Sequence, residues 1–165
     1  MMALFSSASR THRIETSIEI DAPPARVWAI LAGFADYPRW NPFIRAIDGT
    51  LEVGRTLDVT MEPPGKREMR FHPIVLAVEP ERELRWKGKL LIPGLFDGEH
   101  WFRLRHAAHG RITFEQGEHF TGMLVPRFKP SLDGATRAGF IAMNEALKRQ
   151  AEGADERRQP VSAMR

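Results

Sequence analysis

Residues 18–44 read Ile-Glu-Ile-Asp-Ala-Pro-Pro-Ala-Arg-Val-Trp-Ala-Ile-Leu-Ala-Gly-Phe-Ala-Asp-Tyr-Pro-Arg-Trp-Asn-Pro-Phe-Ile. Upstream, Ile14, Ile18 and Ile20 alternate with Glu15, Ser17 and Glu19, the period of a half-buried strand. Pro23 and Pro24 end that strand, and Pro24 suits the first turn of a helix, where its missing N–H is no loss. Val27, Trp28, Ile30 and Leu31 supply the apolar face of that helix, and Gly33 is expected to provide a left-handed exit. A second short helix or turn is expected over 36–41, closed by Pro42.

Outward from this stretch the pattern is that of strands. Phe43 to Gly49 forms one, Leu57, Val59 and Met61 mark the next, and Pro63-Pro64-Gly65 turns into a strand carrying Met69 and Phe71. The apolar phase then moves to Ile74, Leu76 and Val78, with a bulge expected at Pro73. Leu84, Trp86, Gly88 and Leu90 alternate with Glu83, Arg85, Lys87 and Lys89. From Leu132 to about Ala151, Thr136, Gly139, Phe140, Met143 and Leu147 recur at helical spacing. The periodicity predicts an α+β arrangement in which one long amphipathic helix covers the apolar face of a sheet.

The segments Ala22-Pro23-Pro24, Val27-Trp28, Phe34, Tyr37 and Trp40-Asn41-Pro42 resemble the start of the START/Bet v 1-like (SRPBCC) superfamily, in its polyketide cyclase/dehydrase-like branch. Leu95 to His100, Gly117-Glu118 with Phe120 and Gly122, and Ala138-Gly139-Phe140 to Ala146-Leu147 resemble an uncharacterised bacterial subgroup. The resemblance covers roughly 13–151. It implies a helix-grip fold, a seven-stranded curved antiparallel sheet wrapped around the C-terminal helix, with two short helices after the first strand. It also implies a ligand cavity between sheet and helix, with its entrance near Trp40. The superfamily spans carriers, cyclases, hydrolases and chaperone regulators, so the fold names a pocket and not a reaction.

Composition narrows the classes. The chain has 165 residues, enough for one domain with its own core; the domain is expected over 12–152, with disordered tails at 1–11 and 153–165. No cysteine is present, which excludes a disulfide framework, thiol catalysis and cysteine-ligated zinc. The formal charge is +3, but Arg10 and Arg13 lie in the first thirteen residues, and 148–165 carry five basic and three acidic residues. The body between is close to neutral, without the concentrated basic face of a nucleic-acid binder. No apolar run reaches the length of a membrane span, and the N-terminal residues lack the basic opening of a signal peptide. A cytoplasmic location, with a monomer or homodimer, is expected.

Gly-Glu-His occurs twice, at 98–100 and 117–119. If Ala108-His109-Gly110 is a three-residue loop with Gly110 left-handed, Ala107 pairs with Arg111. His100 then lies opposite Glu118, Phe102 opposite Gln116, Leu104 opposite Phe114, and Glu99 opposite His119. A one-residue slip would mix inside with outside. Glu99 and His119 are expected on the outer face as a cross-strand pair. His100, Gln116 and Glu118 are expected on the inner face, where they would orient the polar end of a ligand. A His beside a carboxylate also has the makings of a general acid or base, so His100 and Glu118 are the catalytic candidates; mutual satisfaction at a wet strand end is the alternative.

Trp40, Met61, Phe71, Trp86, Phe102, Phe114, Phe140 and Met143 complete the expected ligand-binding set, each equally open to a role in the core. Gly139 in mid-helix serves either close helix–sheet approach or ligand space. The apolar loops 91–96 and 123–126 are read as a gate, a partner contact or packing across the end of the sheet. Phosphate-binding glycine loops, zinc-protease and serine-hydrolase motifs are absent, and His100 with Glu118 would lack a third metal ligand. The expected function is binding of a small hydrophobic molecule (lipid, polyketide or aromatic metabolite) without metal or other cofactor. The alternatives are a cofactor-free cyclase or dehydratase and a chaperone-activator-like interaction module.

Overall fold

Strand β1, Thr11–Ile20, buries Ile14 and Ile20 while Glu15, Ser17 and Glu19 stay exposed. A computed structural model describes residues 10–89 and 92–153; the tails expected at 1–11 and 153–165 lie almost wholly outside these, as do Leu90 and Leu91. Thr11 already belongs to β1. After it come α1 (Pro24–Ala32), a 3₁₀ turn (Phe34–Asp36) and α2 (Tyr37–Trp40). Pro24 occupies the first turn of α1. Gly33 closes α1 by donating its N–H to Ala29 O at 3.0 Å, but its φ of −80° is not left-handed; the chain enters the 3₁₀ turn directly. The Asn of the Trp-Asn-Pro triplet anchors the start of the next strand, since Asn41 Oδ1 accepts the N–H groups of Phe43 and Ile44, both at 2.9 Å. Beside it, the buried Tyr37 hydroxyl donates to Leu31 O at 2.8 Å, and burial pushes its pKa far above the usual phenol value.

The remaining strands are β2 (Ile44–Asp48), β3 (Asp58–Met61), β4 (Met69–Phe71), β5 (Ile74–Glu79), β6 (Glu83–Lys89), β7 (Asp97–His106) and β8 (Ile112–Thr121). They pair antiparallel as a five-stranded sheet, β1-β8-β7-β6-β5, and a three-stranded one, β2-β3-β4. Hydrogen bonds from Leu57 N to Pro73 O and from Val75 N to Arg55 O, both 2.9 Å, link the two. Eight strands in two linked sheets thus stand where seven in one were expected. The difference arises at Pro73, which has no N–H for a ladder: before it the chain pairs with β3, after it with β6. The phase beyond Pro73 also differs. Val75 is buried while Ile74 and Leu76 are exposed, and the irregular step falls between Val75 and Ala77.

The chain ends in a helical stretch that begins earlier than its periodicity suggests. Helix α3 (Val125–Ser131) contains Pro130, a π turn follows at Leu132–Thr136, and α4 runs Arg137–Glu152. Pro126 and Pro130 conceal α3 in the sequence, since proline normally marks a helix boundary. Pro126 sits in the first turn, where it is harmless, and the wider π turn directly follows Pro130. Helix α4 lies on β1 and β8, burying Gly139, Phe140, Met143 and Leu147. Phe43 meets Phe140 edge-to-face at 5.4 Å, and a Cβ on Gly139 would collide with the Phe43 ring. That glycine serves close approach of helix and sheet. The whole is a helix-grip fold. Among the described residues no helix is long and apolar enough to cross a membrane.

Candidate functional site

The hairpin of β7 and β8 fixes the floor of the site. Gly110 has φ +74°, Ala107 N donates to Arg111 O at 2.9 Å, and the register runs unbroken from Asp97↔Thr121 to His106↔Ile112. Inward positions therefore form rows across the sheet. One row is Trp86, His100 and Glu118; the next is Gly88, Gly98 and Phe120. The second row lacks side chains at two of its three positions, so space remains above it. A cavity of about 360 Å³ lies there.

Its walls come from several elements. Trp86 and Phe120 flank the glycines, Phe43, Met61 and Phe71 approach from the three-stranded sheet, and Phe128, Leu132 and Thr136 descend from α3 and the π turn. π turns recur at functional sites because they re-aim side chains out of helical register. Phe96 closes one end, packed on Phe120 at 5.4 Å and on Phe128 at 5.3 Å. The two apolar loops meet here. Met123 N donates to Gly94 O at 3.2 Å and Leu124 N to Leu95 O at 3.0 Å. Lys66, Arg67, Met69 and Lys89 also border the cavity and are exposed, so they form its rim.

Among the described residues Glu118 is the one carboxylate that lines the cavity. Its side chain is 14 % exposed, and a Cβ on Gly98 would collide with its Oε1. Glycine at 98 thus opens the cavity and also makes room for the carboxylate. Behind Glu118 lies a polar chain. His100 Nδ1 is 3.4 Å from Glu118 Oε2, and His100 Nε2 is 3.3 Å from Gln116 Nε2. The amide N–H can only donate, so the consistent assignment has His100 accept at Nε2 and donate from Nδ1. Both bonds are long. Rings hold the imidazole as well: Trp86 stacks on it at 5.3 Å, and Phe102 and Phe140 meet it edge-on at 4.6 and 5.1 Å. Gln116 Nε2 also contacts Met143 Sδ at 3.5 Å, while Gln116 Oε1 is buried without a hydrogen-bond partner among the described residues.

Of the residues singled out in the sequence, Met61, Phe71, Trp86 and Glu118 line the cavity. His100 and Gln116 face inward but lie sealed behind it, 1 % and 0 % exposed. Phe102, Phe114, Phe140 and Met143 are core residues packed behind the same wall. Trp40 stands apart, edge-on to Tyr37 at 5.0 Å. Of the three polar residues only Glu118 borders the cavity, and His100 has both ring nitrogens in contact with other side chains. On the outer face, Glu99 lies opposite His119 but pairs with Arg85 at 3.1 Å; guanidinium is always charged and imidazole is not.

Sequence reading missed Phe43, Phe96, Phe120, Phe128, Leu132 and Thr136. Phe120 continues the inward alternation of β8 and was legible. Phe128 sits on helix hidden by proline, whereas Leu132 and Thr136 fall within the expected helical stretch, in its π turn. Among the described residues, no group of three or more His, Asp or Glu side chains is placed to hold a metal ion.

No curated protein sequence matches this chain. Among solved structures it is similar to the di-domain ARO/CYC BexL from the BE-7585A biosynthetic pathway, with a TM-score of 0.70 at 14 % identity over 87 % of this chain and 50 % of that one. The chain thus spans half the length of that protein. It is also similar to a norcoclaurine synthase point mutant from Thalictrum flavum, solved with a transition-state analogue (TM-score 0.69, 15 % identity, 88 % and 96 % covered). A START superfamily protein from Mycobacterium smegmatis gives 0.67 at 18 % identity, covering 87 % and 99 %. At such identities the likeness shows the fold. The model of one sequence family matches residues 11–152, and with the cavity between sheet and helix already in place, the chain belongs to that family, described as polyketide cyclase / dehydrase and lipid transport.

Proposed function

We propose that the chain binds a small, largely apolar molecule above Gly88 and Gly98, with Glu118 as the polar contact at depth. The observation that carries this reading is the pair of inward glycines in register on adjacent strands, which leaves about 360 Å³ between aromatic walls. Ligand cavities commonly hold ~300–1,000 Å³ and combine apolar walls with few polar groups. Apolar burial would supply affinity at roughly 25 cal/mol per Å². An ionised carboxylate only accepts hydrogen bonds, so Glu118 favours a hydroxyl, phenol or amide N–H at the buried end of the ligand.

Gly88→Leu is the direct test. A Cβ at Gly88 meets only Pro73, at 3.7 Å, so a larger side chain there enters the cavity without disturbing the strand. Native mass spectrometry of freshly purified protein should show a bound small molecule that is absent from the Gly88→Leu variant. Equal ligand in both would place binding elsewhere.

A second reading, catalysis of a cyclisation or dehydration, is favoured by the Glu118–His100–Gln116 chain. Such reactions require a proton to be removed and returned. Here Glu118 would exchange it with the ligand and His100 would stand behind as reservoir. In that case Glu118→Gln abolishes turnover of the co-purifying compound, by roughly 10²–10⁴-fold, with little change in affinity. A carrier shows no turnover and a modest loss of affinity.

A further inference from the structure

The charges at the cavity are distributed unevenly, and their placement bears on which molecules fit. Lys66, Arg67 and Lys89 border it, whereas Glu118 is the one acidic lining residue among those described and lies at depth. Lys66 and Arg67 follow the turn between β3 and β4, and Lys89 ends β6. The three cations thus approach the opening from the two linked sheets. Among the described residues none of the three has an ion-pair partner, although fifteen such pairs occur elsewhere. Glu62, the nearest acid before the turn, is 3.6 Å from Arg45, and Glu68 is exposed outside the lining.

Resting on the cavity reading above, we propose that the ligand is an amphipathic anion: an apolar body in the cavity and a carboxylate, sulfate or phosphate at the rim, held by Lys66, Arg67 and Lys89. The two signs of charge fix its orientation. An anionic head entering first would meet the Glu118 carboxylate in a poorly solvated space, where like charges repel strongly. The same head left at the rim meets up to three cations and keeps much of its water. A neutral or cationic head gains nothing there. The exposed Met69, 43 % accessible, supplies apolar surface at the rim for the first methylenes of the body. The ligand is a free amphiphile and not a headgroup of an intact bilayer, because the apolar volume to be filled is below the rim.

The test compares dodecanoate with dodecanol, which share a chain and differ in the head, by displacement of the neutral fluorophore N-phenyl-1-naphthylamine. Dodecanoate is expected to bind roughly tenfold more tightly, an advantage that shrinks as salt is added because the rim is exposed. In Lys66→Ala/Arg67→Ala/Lys89→Ala dodecanoate should lose its advantage, so that the two probes bind alike. In Lys66→Glu/Lys89→Glu the preference should pass to protonated dodecylamine. Equal binding of acid and alcohol by the native protein overturns the anionic head while leaving the apolar cavity intact. Binding of neither overturns both. Vesicles of phosphatidylcholine with and without phosphatidylglycerol separate the sources. Cosedimentation with the anionic vesicles, without preference for free dodecanoate, would make the rim a membrane contact and overturn the proposal.

Discussion

The five-stranded and three-stranded sheets differ in what they hold. Strands β7 and β8 of the larger one pair in register over ten residues each and bury His100, Phe102, Leu104, Phe114 and Gln116 on one face. The smaller sheet has strands of five, four and three residues and an irregular step between Ile44 and Ala46; its last strand leaves Met69 exposed and Phe71 half-buried. The larger sheet holds Glu118 in one place because the other residues of its row, Ile14, His100 and Trp86, are buried. The smaller one borders empty space and carries the turn that bears two of the three rim cations. Stability should therefore be concentrated in the first and ligand choice in the second.

Substitutions can break that division. The largest effect is expected for Phe102→Ala, which removes a fully buried ring packed against Trp86 at 5.2 Å and Phe114 at 5.9 Å. Urea unfolding should show a loss of about 3–5 kcal/mol. Next comes Gly139→Ala. On an exposed helix this change would stabilise by about 1 kcal/mol; here the new methyl meets Phe43, and a net loss of about 1–3 kcal/mol is expected instead. A gain would mean that α4 can move off the smaller sheet without cost.

Phe71→Ala should lower stability by only about 1 kcal/mol, since half a phenyl ring is lost from contact with the interior, while weakening dodecanoate binding measurably. If it costs as much as Phe102→Ala, the two sheets are equally structural and the comparison fails. The smallest effect concerns Glu152, whose carboxylate accepts from Lys148 Nζ at 2.6 Å and from Asp21 N at 2.8 Å. Burial raises its pKa and these two bonds lower it, leaving it below the ordinary value. A depressed carboxyl stabilises the fold above its unfolded pKa, and that contribution is lost as pH falls through the folded value. The small cost of Glu152→Gln in thermal unfolding should thus be present at neutral pH and vanish in acid.

Alternation along the chain was sufficient to pair His100 with Glu118 and set both facing inward, because one left-handed glycine at 110 fixes the hairpin and a slip would expose Phe102 and Leu104. The Trp-Asn-Pro triplet was equally visible, yet its Asn41 caps a strand and its Trp40 lies away from the cavity. Pro130 hid the helix that supplies Phe128, since local propensity cannot anticipate a helix held together by its packing.

What the sequence by itself determined is which face the residues of β1, β6, β7 and β8 occupy, since a period of two follows from backbone geometry; in β5 the irregular step between Val75 and Ala77 put Val75 inward instead of Ile74 and Leu76. It could not determine which inward residues border a void. His100 and Glu118 share a row, but Trp86, Phe102 and Phe140 enclose the imidazole while Gly98 leaves the carboxylate uncovered. That distinction depends on side chains absent from a neighbouring row and on where α3, α4 and the smaller sheet come to rest. It is a property of three-dimensional packing, and only the tertiary structure decided it.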